Sequence, residues 1–397
     1  MSRAVLSLNA GSSSIKFGLF ELDGDGGAFA AAAGKIEGIG TSPHLEARDA
    51  SGVLLSEQRW GGGAALPHEA FLETLLNWAE AHLGSKELVG VGHRVVHGGL
   101  QFTGPAVLSD SVVDEIEALT PLAPLHQPHN LAAIRAIRSV RPRLPQVACF
   151  DTAFHRTQPA VAMRFALPRE LGRQGIRRYG FHGISYEYVS RTLLKVTPEL
   201  ASARVIVAHL GNGASLCAMR GGLSVDTTMG FTALDGLVMG TRCGSIDPGV
   251  LLYLLQQKGL TAEDVQRLLY EQSGLLGVSG LSSDMRVLLD SDDPRADEAI
   301  ELFAYRVARE AGALAASLGG VDAFVFTAGI GEGAASVRAL IAERLAWLGV
   351  KIDAAANAAG EGVVSAPDSA VLLRVMHTDE ELMIALHTIE LLLAAAA

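Results

Sequence analysis

Residues 9–16 combine an amide, a glycine, three hydroxyls and a lysine in one short stretch, N-A-G-S-S-S-I-K. Backbone N–H groups in a tight glycine turn can hold an anion, and serine hydroxyls add further donors. The flanking runs, 4–8 and 15–20, are short and apolar, which is typical of strands. The stretch therefore predicts a hairpin whose turn binds phosphate, with an ordinary hairpin as the alternative.

The same design returns later in the chain. Residues 204–222 again read as strand, small polar turn and strand, with the turn H-L-G-N-G at 209–213. The repetition predicts two related domains, each of which presents a hairpin rich in glycine and hydroxyl groups to a shared cleft. Two such turns would hold a polyphosphate from both sides.

A third glycine-rich stretch, F-V-F-T-A-G-I-G-E-G at 324–333, follows a buried-strand pattern and leads into a helical one. Strand, glycine turn and helix is also the layout of dinucleotide-binding motifs. The spacing here is G-x-G-x-G instead of G-x-G-x-x-G, and no ribose-binding acid is evident after it. The stretch predicts a nucleotide contact, but not specifically a dinucleotide site.

Cations and one carboxylate lie in other short motifs. Arg94 stands between two histidines in G-H-R-V-V-H-G-G, and Asp151 ends an apolar strand in C-F-D-T-A-F-H. His182 in R-Y-G-F-H-G and Arg242 in M-G-T-R-C-G each add a group that can carry positive charge. Planar guanidinium groups suit carboxylates and phosphates. Together with phosphate turns, these residues are the parts of a phosphoryl-transfer site.

Structural explanations compete for several of these residues. A histidine near glycine is more often structural than catalytic. His126 and His129 lie three apart in a proline-rich loop, but no third residue has the spacing of a zinc ligand. Glu380 and Glu381 could simply be acids favoured by the dipole in the first turn of a helix.

The elements that must position these residues alternate between strand and helix patterns, which indicates an α/β architecture. Helices are expected after Asn130 as N-cap, from Asp247-Pro248, and from about 295 to 318 with a stop at Gly319-Gly320. Residues 24–34 are small and are expected to form a loop or edge strand. A chain of 397 residues exceeds what one core usually supports, so two domains are expected.

Composition narrows the class of partner. The net charge of −11 argues against nucleic acid or an anionic membrane as a general partner, so an anionic substrate needs a local cluster of cations. The three cysteines lack disulfide or metal spacing, and residues 1–9 lack the apolar core of a signal peptide. The longest uncharged stretch, 118–134, contains three prolines and is not a membrane helix. A cytoplasmic protein is expected.

Taken together, the motifs resemble those of the acetate kinase family over essentially the whole chain. The two stretches L-N-A-G-S-S-S-I-K and C-F-D-T-A-F-H resemble the family's signatures, and five further motifs follow in the matching order: P-L-A-P-L-H, R-Y-G-F-H-G, H-L-G-N-G-A-S, M-G-T-R and E-E-L. The resemblance implies an α/β fold of two duplicated ribonuclease-H-like (actin-like ATPase) domains around a central nucleotide cleft. It implies an N-terminal acetokinase domain at 1–150 plus 381–397 and a C-terminal nucleotide-binding domain at 151–380.

The resemblance also implies an activity and its partners. The reaction is reversible phosphoryl transfer from ATP to acetate, which gives ADP and acetyl phosphate. It uses Mg²⁺, with Mn²⁺ as the alternative ion, and the enzyme is a homodimer. A carboxylate is already a nucleophile at pH 7, so the task is to bring two anions together and to spread charge in a loose, in-line transition state. Asp151 is therefore interpreted as orienting a cation or metal-bound water, although the family's Asp is commonly described as a proton donor or acceptor.

The resemblance assigns roles to individual residues. The catalytic set is Arg94 for the substrate carboxylate, Asp151 as the central carboxylate, and His182, Arg242 and His126 around the transferring phosphoryl group. Asn9 and Glu380 position the metal. The residues assigned to ATP and its phosphates are Ser12, Ser14, Lys16, His209, Leu210, Gly211, Asn212, Gly213, Asp284, Met285, Arg286, Gly329, Ile330, Gly331, Glu332 and Gly333. The acyl pocket is assigned to Val96, Leu125, Phe181 and Ala233.

The sequence departs from the family pattern at several places. Cys243 replaces a usual Ser beside Arg242, which suggests thiol-sensitive activity or, equally, an inert buried thiol. Gly333 replaces a usual Asn in the nucleotide loop, and Tyr186 a usual His after His182. Ala233 replaces a usual Pro, and we hypothesise that it loosens the acyl pocket towards propionate.

Other functions fit the same motifs. The nearest alternative is a propionate or butyrate kinase of the same family. A sugar kinase would use Asp151 as the base for a hydroxyl, and an actin-like ATP-binding protein without catalysis would not require the cations. A dehydrogenase is disfavoured by the glycine spacing.

Overall fold

The structure is a computed structural model, and it describes residues 3–23, 27–61, 66 and 68–394. The described chain divides into two compact units. Unit 1 runs to Ala153 and resumes at Asp379, and unit 2 runs from Phe154 to Thr378. The expected domain boundaries lie a few residues from these, so Asp151 and Glu380, which they assign to the C-terminal domain, lie in unit 1.

Unit 1 is built on one sheet with strand order β5-β4-β3-β2-β1-β6-β8-β7. Its strands are β1 (Arg3–Ala10), β2 (Ser14–Leu22), β3 (Ala28–Glu37), β4 (His44–Arg48), β5 (Leu54–Arg59), β6 (Glu87–Val95), β7 (Ala106–Val107) and β8 (Gln146–Phe150). Its helices are α1 (His68–Leu83), α2 (Asp110–Ala118), α3 (Gln127–Val140) and, after unit 2 in the chain, α14 (Glu380–Ala394).

Unit 2 has a second sheet with strand order β11-β10-β9-β12-β14-β13. Its strands are β9 (Arg204–Leu210), β10 (Ala214–Arg220), β11 (Leu223–Thr227), β12 (Ala323–Thr327), β13 (Gly362–Val363) and β14 (Leu372–Val375). Its helices are α4 (Arg169–Arg173), α5 (Gly183–Val196), α6 (Pro248–Gln256), α7 (Ala262–Glu271), α8 (Gly274–Ser279), α9 (Met285–Leu289), α10 (Pro294–Leu318), α11 (Ala328–Gly333), α12 (Ala335–Arg344) and α13 (Ala354–Ala359).

The two sheets share one topology. In unit 1 an antiparallel meander of five strands, β1 to β5, is followed by β6 and β8, which run parallel to β1. The first three of these strands correspond to the meander of unit 2, and β4 and β5 extend the sheet. In unit 2 the meander β9-β10-β11 is likewise followed by β12 and β14, which run parallel to β9. The hairpins expected around residues 9–16 and 209–213 are thus the first two strands of each sheet, and the repeat seen in the sequence is a repeat of topology.

Apolar side chains from alternating strand positions form the cores. In unit 1, Leu6, Leu8 and Phe17 pack with Phe71 and Leu75 of α1, since side chains two apart on a strand share a face. In unit 2, Val205 and Val207 pack with Tyr186 and Val189 of α5. Alternation within each strand therefore determines which face helices cover.

Close packing of α14 on β6 positions the acids at the start of that helix. Val5 and Phe20 form an apolar cluster with Ala385 and Ile389 of α14. A Cβ at Gly92 of β6 would overlap side-chain atoms of α14, so this strand needs glycine where the helix crosses it. The carboxyl-terminal helix is thereby an integral part of unit 1.

Local helix signals in the sequence were mostly confirmed. Helix α10 begins after Asp293, whose carboxylate accepts from the Arg295 backbone N–H at 2.9 Å, and ends at Gly319 with φ +72°. Helix α6 begins after Asp247, as expected. The N-cap expected at Asn130 was wrong, because α3 begins at Gln127 and the Asn130 side chain bonds to other parts of the chain.

The segment 24–34 differs from its expectation where the structure describes it. Residues 24–26 lie outside the described residues, whereas residues 28–34 belong to β3, which pairs with both β2 and β4 and is an interior strand. Within the part of the chain that the structure describes, no helix is both long enough and apolar enough to span a bilayer.

Candidate active site

The first hairpin turn presents polar groups to solvent. Asn9 pairs with Lys16 across β1 and β2, and the Gly11 backbone N–H donates to the Ser14 carbonyl at 2.8 Å. Ser12 is exposed and Lys16 is exposed, whereas the neighbouring Ile15 is buried. The turn therefore offers hydroxyls and an ammonium group at one sheet edge, as a phosphate turn requires.

Arg94 and Asp151 form a bidentate ion pair at the ends of β6 and β8. The Arg94 Nε and Nη2 atoms lie 3.0 Å from Asp151 Oδ1 and 2.6 Å from Oδ2. Parallel pairing of β6 with β8 brings these residues together, and the Asp151 backbone N–H donates to the Val95 carbonyl at 3.0 Å. Asp151 is 1% exposed. Burial alone would lower the pKa of Arg94, but Asp151 and Glu380 outweigh it and raise the pKa, so Arg94 is a permanent cation.

Asn9 joins this pair. Its Oδ1 atom accepts from Arg94 Nη1 at 3.1 Å. Nearby, burial and the Glu380 charge raise the pKa values of both Asp379 and Glu381. The three consecutive carboxylates at the start of α14 thus lie in a site that favours added positive charge.

A buried asparagine that the sequence did not single out as functional supports both the first hairpin and the strand that carries Arg94. Asn130 accepts from the Val96 backbone N–H at 3.1 Å and donates to the Ala10 carbonyl at 2.9 Å. It therefore ties the end of β1 to the residues that follow Arg94. Its only sequence signal was a polar residue among the apolar positions of α3.

The remaining unit 1 residues from the sequence lie around the start of α3. His126 is the residue that precedes this helix, and Leu125 beside it is 36% exposed. Val96 is buried. His97 follows it, and its Nδ1 atom accepts from the Gly99 backbone N–H at 2.9 Å. Burial lowers the pKa of His97 to about 4, so this histidine is neutral and structural.

In unit 2, His182 has a strained backbone conformation that sets the direction of its side chain. Its φ of +58° and ψ of +23° lie in the left-handed region, which non-glycine residues rarely adopt. His155 holds the turn, because its Nε2 lies 2.9 Å from the Phe181 carbonyl and its Nδ1 lies 2.9 Å from Ser224 Oγ. Burial lowers the pKa of His155 to about 4, so the ring is neutral and its Nε2–H donates to Phe181. The sequence showed His155 within a motif but did not reveal this supporting role.

A chain of hydrogen bonds orients the His182 ring. Tyr186 Oη lies 2.5 Å from Ser215 Oγ, and Ser215 Oγ lies 2.9 Å from His182 Nδ1. Burial raises the pKa of Tyr186 well above its ordinary value, so the phenol stays protonated and donates to Ser215. Ser215 then donates to Nδ1, which leaves the His182 proton on Nε2. The His182 ring also stacks on His209, with centroids 4.2 Å apart.

His182 and Arg242 converge on the second hairpin turn. A Cβ built on Gly213 would lie 3.3 Å from His182 Nε2 and 3.8 Å from Arg242 Nη1. Arg242 Nη1 also donates to the Ala233 carbonyl at 2.9 Å. The structure thus brings together a glycine turn, an imidazole N–H and a guanidinium from three separate motifs.

Backbone hydrogen bonds from the start of helix α8 hold the loop that carries Arg242. The Leu275 backbone N–H donates to the Met239 carbonyl, and that of Ser273 donates to the Thr241 carbonyl. Burial raises the pKa of the Cys243 thiol, and its Sγ lies 3.2 Å from the Gly244 carbonyl. A higher pKa disfavours the reactive thiolate, whereas Cys243 is only half-buried, so both alternatives for this thiol stay predictions.

The third glycine stretch forms a short helix, α11, where the sequence suggested a turn. Ala328 opens it with φ +65°, and its N–H donates to Glu332 Oε1 at 2.8 Å. The other Glu332 oxygen lies 2.5 Å from His377 Nδ1. The Glu332 carboxylate, expected to contact ATP, therefore stabilises α11 itself. The other members of the predicted contact, Gly329, Ile330, Gly331 and Gly333, lie along the same helix.

A buried arginine that sequence inspection missed anchors the end of α11. Arg338 is 1% exposed and donates to the carbonyls of Gly331 and Glu332 at 2.9 and 2.7 Å. It also donates to the Asn357 carbonyl and side chain. An arginine in an otherwise apolar helix pattern was the only signal for it in the sequence.

Several other residues predicted to contact the nucleotide have side chains with structural roles. Asp284 caps α9 by accepting from the Arg286 backbone N–H at 2.9 Å, and it also pairs with the exposed Arg286 side chain. Met285 is buried. Leu210 is fully buried in β9, so only its backbone is available in the turn. Asn212 lies against Gly240, whose backbone N–H donates to the Asn212 carbonyl at 3.0 Å.

The fold, the polar residues around Arg94 and those around His182 together define a class of protein. Two units of one topology each present a glycine-containing hairpin turn, and each places arginine near it. Guanidinium, imidazole N–H and backbone N–H groups stabilise the oxygens of a transferring phosphoryl group. These are the features of an ATP-dependent phosphotransferase on a duplicated ribonuclease-H-like fold.

Comparison with known proteins identifies the family. The profile of the acetokinase family matches residues 4–386. An acetate kinase of Rhodopseudomonas palustris is 53% identical over 391 residues, 98% of each chain. The chain therefore belongs to the acetokinase family and is an enzyme.

Solved structures agree with this result. A propionate kinase of Francisella tularensis superposes with a TM-score of 0.89 at 39% identity, and the match covers 97% of this chain and 99% of that one. An acetate kinase of Porphyromonas gingivalis superposes with a TM-score of 0.87 at 37% identity, covering 98% and 100%. The predicted fold of two duplicated actin-like ATPase domains is confirmed.

Proposed function

We propose that the protein transfers the γ-phosphoryl group of ATP to acetate, reversibly, to give ADP and acetyl phosphate. The observation that carries this proposal is identity of 53% along nearly the whole chain with an acetate kinase. Acetate attacks phosphorus directly, so the O–P bond to ADP breaks as the new O–P bond to the carboxylate forms. No side chain needs to remove a proton from the nucleophile.

Arg94 binds the acetate carboxylate in this proposal. A guanidinium group has five N–H donors, and within the described chain Arg94 uses one on Nε, one on Nη1 and one on Nη2. The two remaining donors suit a carboxylate. Asp151 fixes the plane of the guanidinium, so it acts by orienting Arg94 and needs no change of protonation. Within unit 1, Val96, Leu125 and His126 are the residues assigned to the surroundings of this site.

Unit 2 binds the nucleotide and stabilises the transferring group. The Gly211 N–H donates to the Gly213 carbonyl at 3.1 Å, so the backbone N–H groups of Asn212 and Gly213 bind the phosphates. His182 Nε2–H and Arg242 donate to the equatorial oxygens. A well-placed donor of this kind contributes about 3–4 kcal/mol to the transition state. The segments 284–286 and 329–333 contact the rest of the nucleotide through their backbone and apolar groups. Ser12, Ser14 and Lys16 of the first turn contact the outer phosphates.

Mg²⁺ belongs to this proposal, with Mn²⁺ as a possible substitute. Oxygen donors suit it, and Mg²⁺ usually retains several waters and binds through one or two carboxylates plus phosphate oxygens. Asn9 Oδ1 and Glu380 supply such donors. Among the described residues no group of three or more His, Cys, Asp or Glu could hold a metal alone, which agrees with a metal that substrate phosphates help to bind. When bound, the ion neutralises phosphate charge.

Assembly and location complete the proposal. Family membership supports a homodimer, which light scattering after gel filtration would test. The cysteine pattern supports a cytoplasmic location. We also retain propionate as a second substrate, because Ala233 replaces a usual Pro and a propionate kinase is a close structural neighbour.

A hydroxylamine trap for acyl phosphate tests the reaction. The enzyme is incubated with ATP, Mg²⁺ and acetate, propionate, butyrate or glycerol, and hydroxamate is measured. Strong hydroxamate from acetate, less from propionate and none from glycerol is the expected result. Release of ADP with glycerol and no hydroxamate from any acid would instead show a sugar kinase, and ATP binding without turnover would show a non-catalytic protein.

A further inference from the structure

Residues 156–178 carry a concentration of arginine that the proposed reaction does not use. The segment has six arginines and one glutamate, so its net charge is 6 − 1 = +5, within a chain of net charge −11. Solvated surfaces usually mix both signs of charge. A strong local excess of one sign in a chain of the opposite sign marks a place where an ion of opposite charge is attracted.

These arginines surround a cavity in unit 2. Its volume is about 590 Å³, and Arg164, Arg169, Arg173 and Arg177 line it. The volume falls in the range of about 300–1,000 Å³ that is usual for small-molecule sites. Arg164 lies in a loop, Arg169 and Arg173 lie in helix α4, and Arg177 lies in the irregular segment that follows this helix.

Three of the four arginines that line the cavity form no ion pair with a described residue, whereas Arg178, outside the cavity lining, pairs with Asp235 at 3.2 Å. Arg173 pairs with Glu170 at 3.2 Å, but both side chains are largely exposed and the pair is weak. Arg164, Arg169 and Arg177 form no ion pair with any residue that the structure describes. Burial and the Arg156 charge both lower the pKa of Arg177, as expected for cations crowded together without an acid.

The cavity also has an apolar wall. Phe165 and Ile176 line it between the arginines and are partly buried. Inorganic phosphate would pair with the arginines but would not pack on this apolar surface. An apolar skeleton would pack on it and thereby gain free energy in proportion to the area removed from water.

We propose that this cavity binds a small organic polyanion that carries two or more phosphate or carboxylate groups on an apolar skeleton. Arginine forks bind both kinds of group with paired hydrogen bonds. Several charges are required because each exposed arginine contributes little alone. The concave, nucleotide-sized shape favours a small molecule over the flat acidic surface of another protein.

The cavity is coupled by the chain to the proposed active site. Arg177 is followed by Arg178, whose Nη2 donates to the Thr227 carbonyl at 2.9 Å, and by Tyr179, whose N–H donates to the Gly230 carbonyl. The same segment ends at His182. A ligand that draws Arg177 into the cavity therefore shifts the segment that carries His182, so occupancy changes kcat; this consequence rests on the proposed function.

Equilibrium binding tests the site without ATP, acetate or Mg²⁺. Isothermal titration calorimetry is carried out with 2,3-bisphosphoglycerate, tricarballylate and inorganic pyrophosphate, which separate phosphate, carboxylate and skeleton-free anions. The triple variant Arg164→Ala, Arg169→Ala, Arg173→Ala removes cavity cations that are all exposed. The matched control Arg135→Ala, Arg191→Ala, Arg267→Ala removes the same charge from exposed, ion-paired arginines elsewhere.

We expect one of the two organic polyanions to bind wild type and the control variant with equal affinity and to bind the cavity variant at least tenfold more weakly. Pyrophosphate should bind wild type more weakly than that organic polyanion does. Equal binding to both variants, or no binding to wild type, would overturn the site. A change of oligomeric state in the cavity variant without polyanion binding would show that the arginines face a second copy, which also overturns it. Because binding is measured without substrates, failure of the proposed reaction would leave this result intact.

Kinetics test the coupling separately. With excess Mg²⁺ to prevent chelation, the bound polyanion is expected to change kcat at least twofold in wild type and control and to have no effect on the cavity variant, whose basal kcat is unchanged. Loss of binding in the variant with no kinetic effect in wild type would support the site and refute the coupling.

Discussion

Replacement of Ser215 by Ala tests whether the hydrogen-bond chain behind His182 controls catalysis. Ser215 is fully buried and lies between Tyr186 Oη at 2.5 Å and His182 Nδ1 at 2.9 Å. Removal of its hydroxyl takes away the donor that keeps the His182 proton on Nε2. It also leaves the buried Tyr186 hydroxyl without its acceptor.

The expected losses of stability and of kcat can both be estimated. A buried hydroxyl that loses its partner costs about 1–3 kcal/mol of stability. A correctly placed transition-state donor is worth about 3–4 kcal/mol, and since His182 retains its stacking on His209, we expect about half of this to be lost. Half of that range is about 1.5–2 kcal/mol, and at ~1.4 kcal/mol per factor of ten kcat should fall about 10- to 30-fold, with little change in the KM for acetate.

The neighbouring tyrosine supplies the control. In Tyr186→Phe, Ser215 can still donate to His182, so kcat should stay within about threefold of wild type. The double variant Ser215→Ala, Tyr186→Phe removes both partners of the buried bond, so it should recover part of the lost stability but none of the lost kcat. Initial rates and thermal denaturation measure the two quantities. A stable Ser215→Ala enzyme with wild-type kcat would refute the reasoning.

Three further predictions concern the turn, the acyl pocket and pH. Gly213→Ala should lower kcat/KM for ATP at least tenfold with little change in melting temperature, because its Cβ would lie 3.3 Å from His182 Nε2; Gly104→Ala, where a Cβ meets nothing within 4 Å, is the control, and equal kinetics in the two would contradict this. Ala233→Pro should raise the acetate-to-propionate ratio of kcat/KM by up to the ~1–3 kcal/mol that a methylene is worth, and an unchanged ratio would disprove the loosened pocket. Burial lowers the pKa values of His93 and His155 from 6.5 to about 4, so between these pH values the unfolded chain binds more protons and stability falls as pH decreases. The free energy of unfolding from urea denaturation should fall between pH 6.5 and pH 4 by on the order of 3 kcal/mol per histidine. A profile independent of pH, or the same pH dependence in His155→Asn, would count against it.

Several features of the fold could be read from short stretches because they depend on local chemistry. The two hairpins required only apolar runs around glycine-rich turns, and α10 required only Asp293, Pro294 and Gly319 at its ends. The glycine stretch at 328–333 was harder, because the Glu332 side chain folds back onto the Ala328 N–H and makes a helix of what looked like a turn. Asn130 was misjudged for a similar reason, since its amide bonds to strands far away in the chain instead of to its own helix.

The sequence by itself determined the family, the paired hairpins and the residue types of the site, because motif order and turn chemistry are properties of neighbouring residues. Only the tertiary structure decided how these residues act. Parallel pairing of β6 with β8 brings Arg94 to Asp151, and packing of α5 on the second sheet brings His182 to Ser215. The same holds for the buried Arg338 and for the arginines of the cavity. Contacts between distant residues depend on strand pairing and burial, and neither is contained in the local pattern around any one of them.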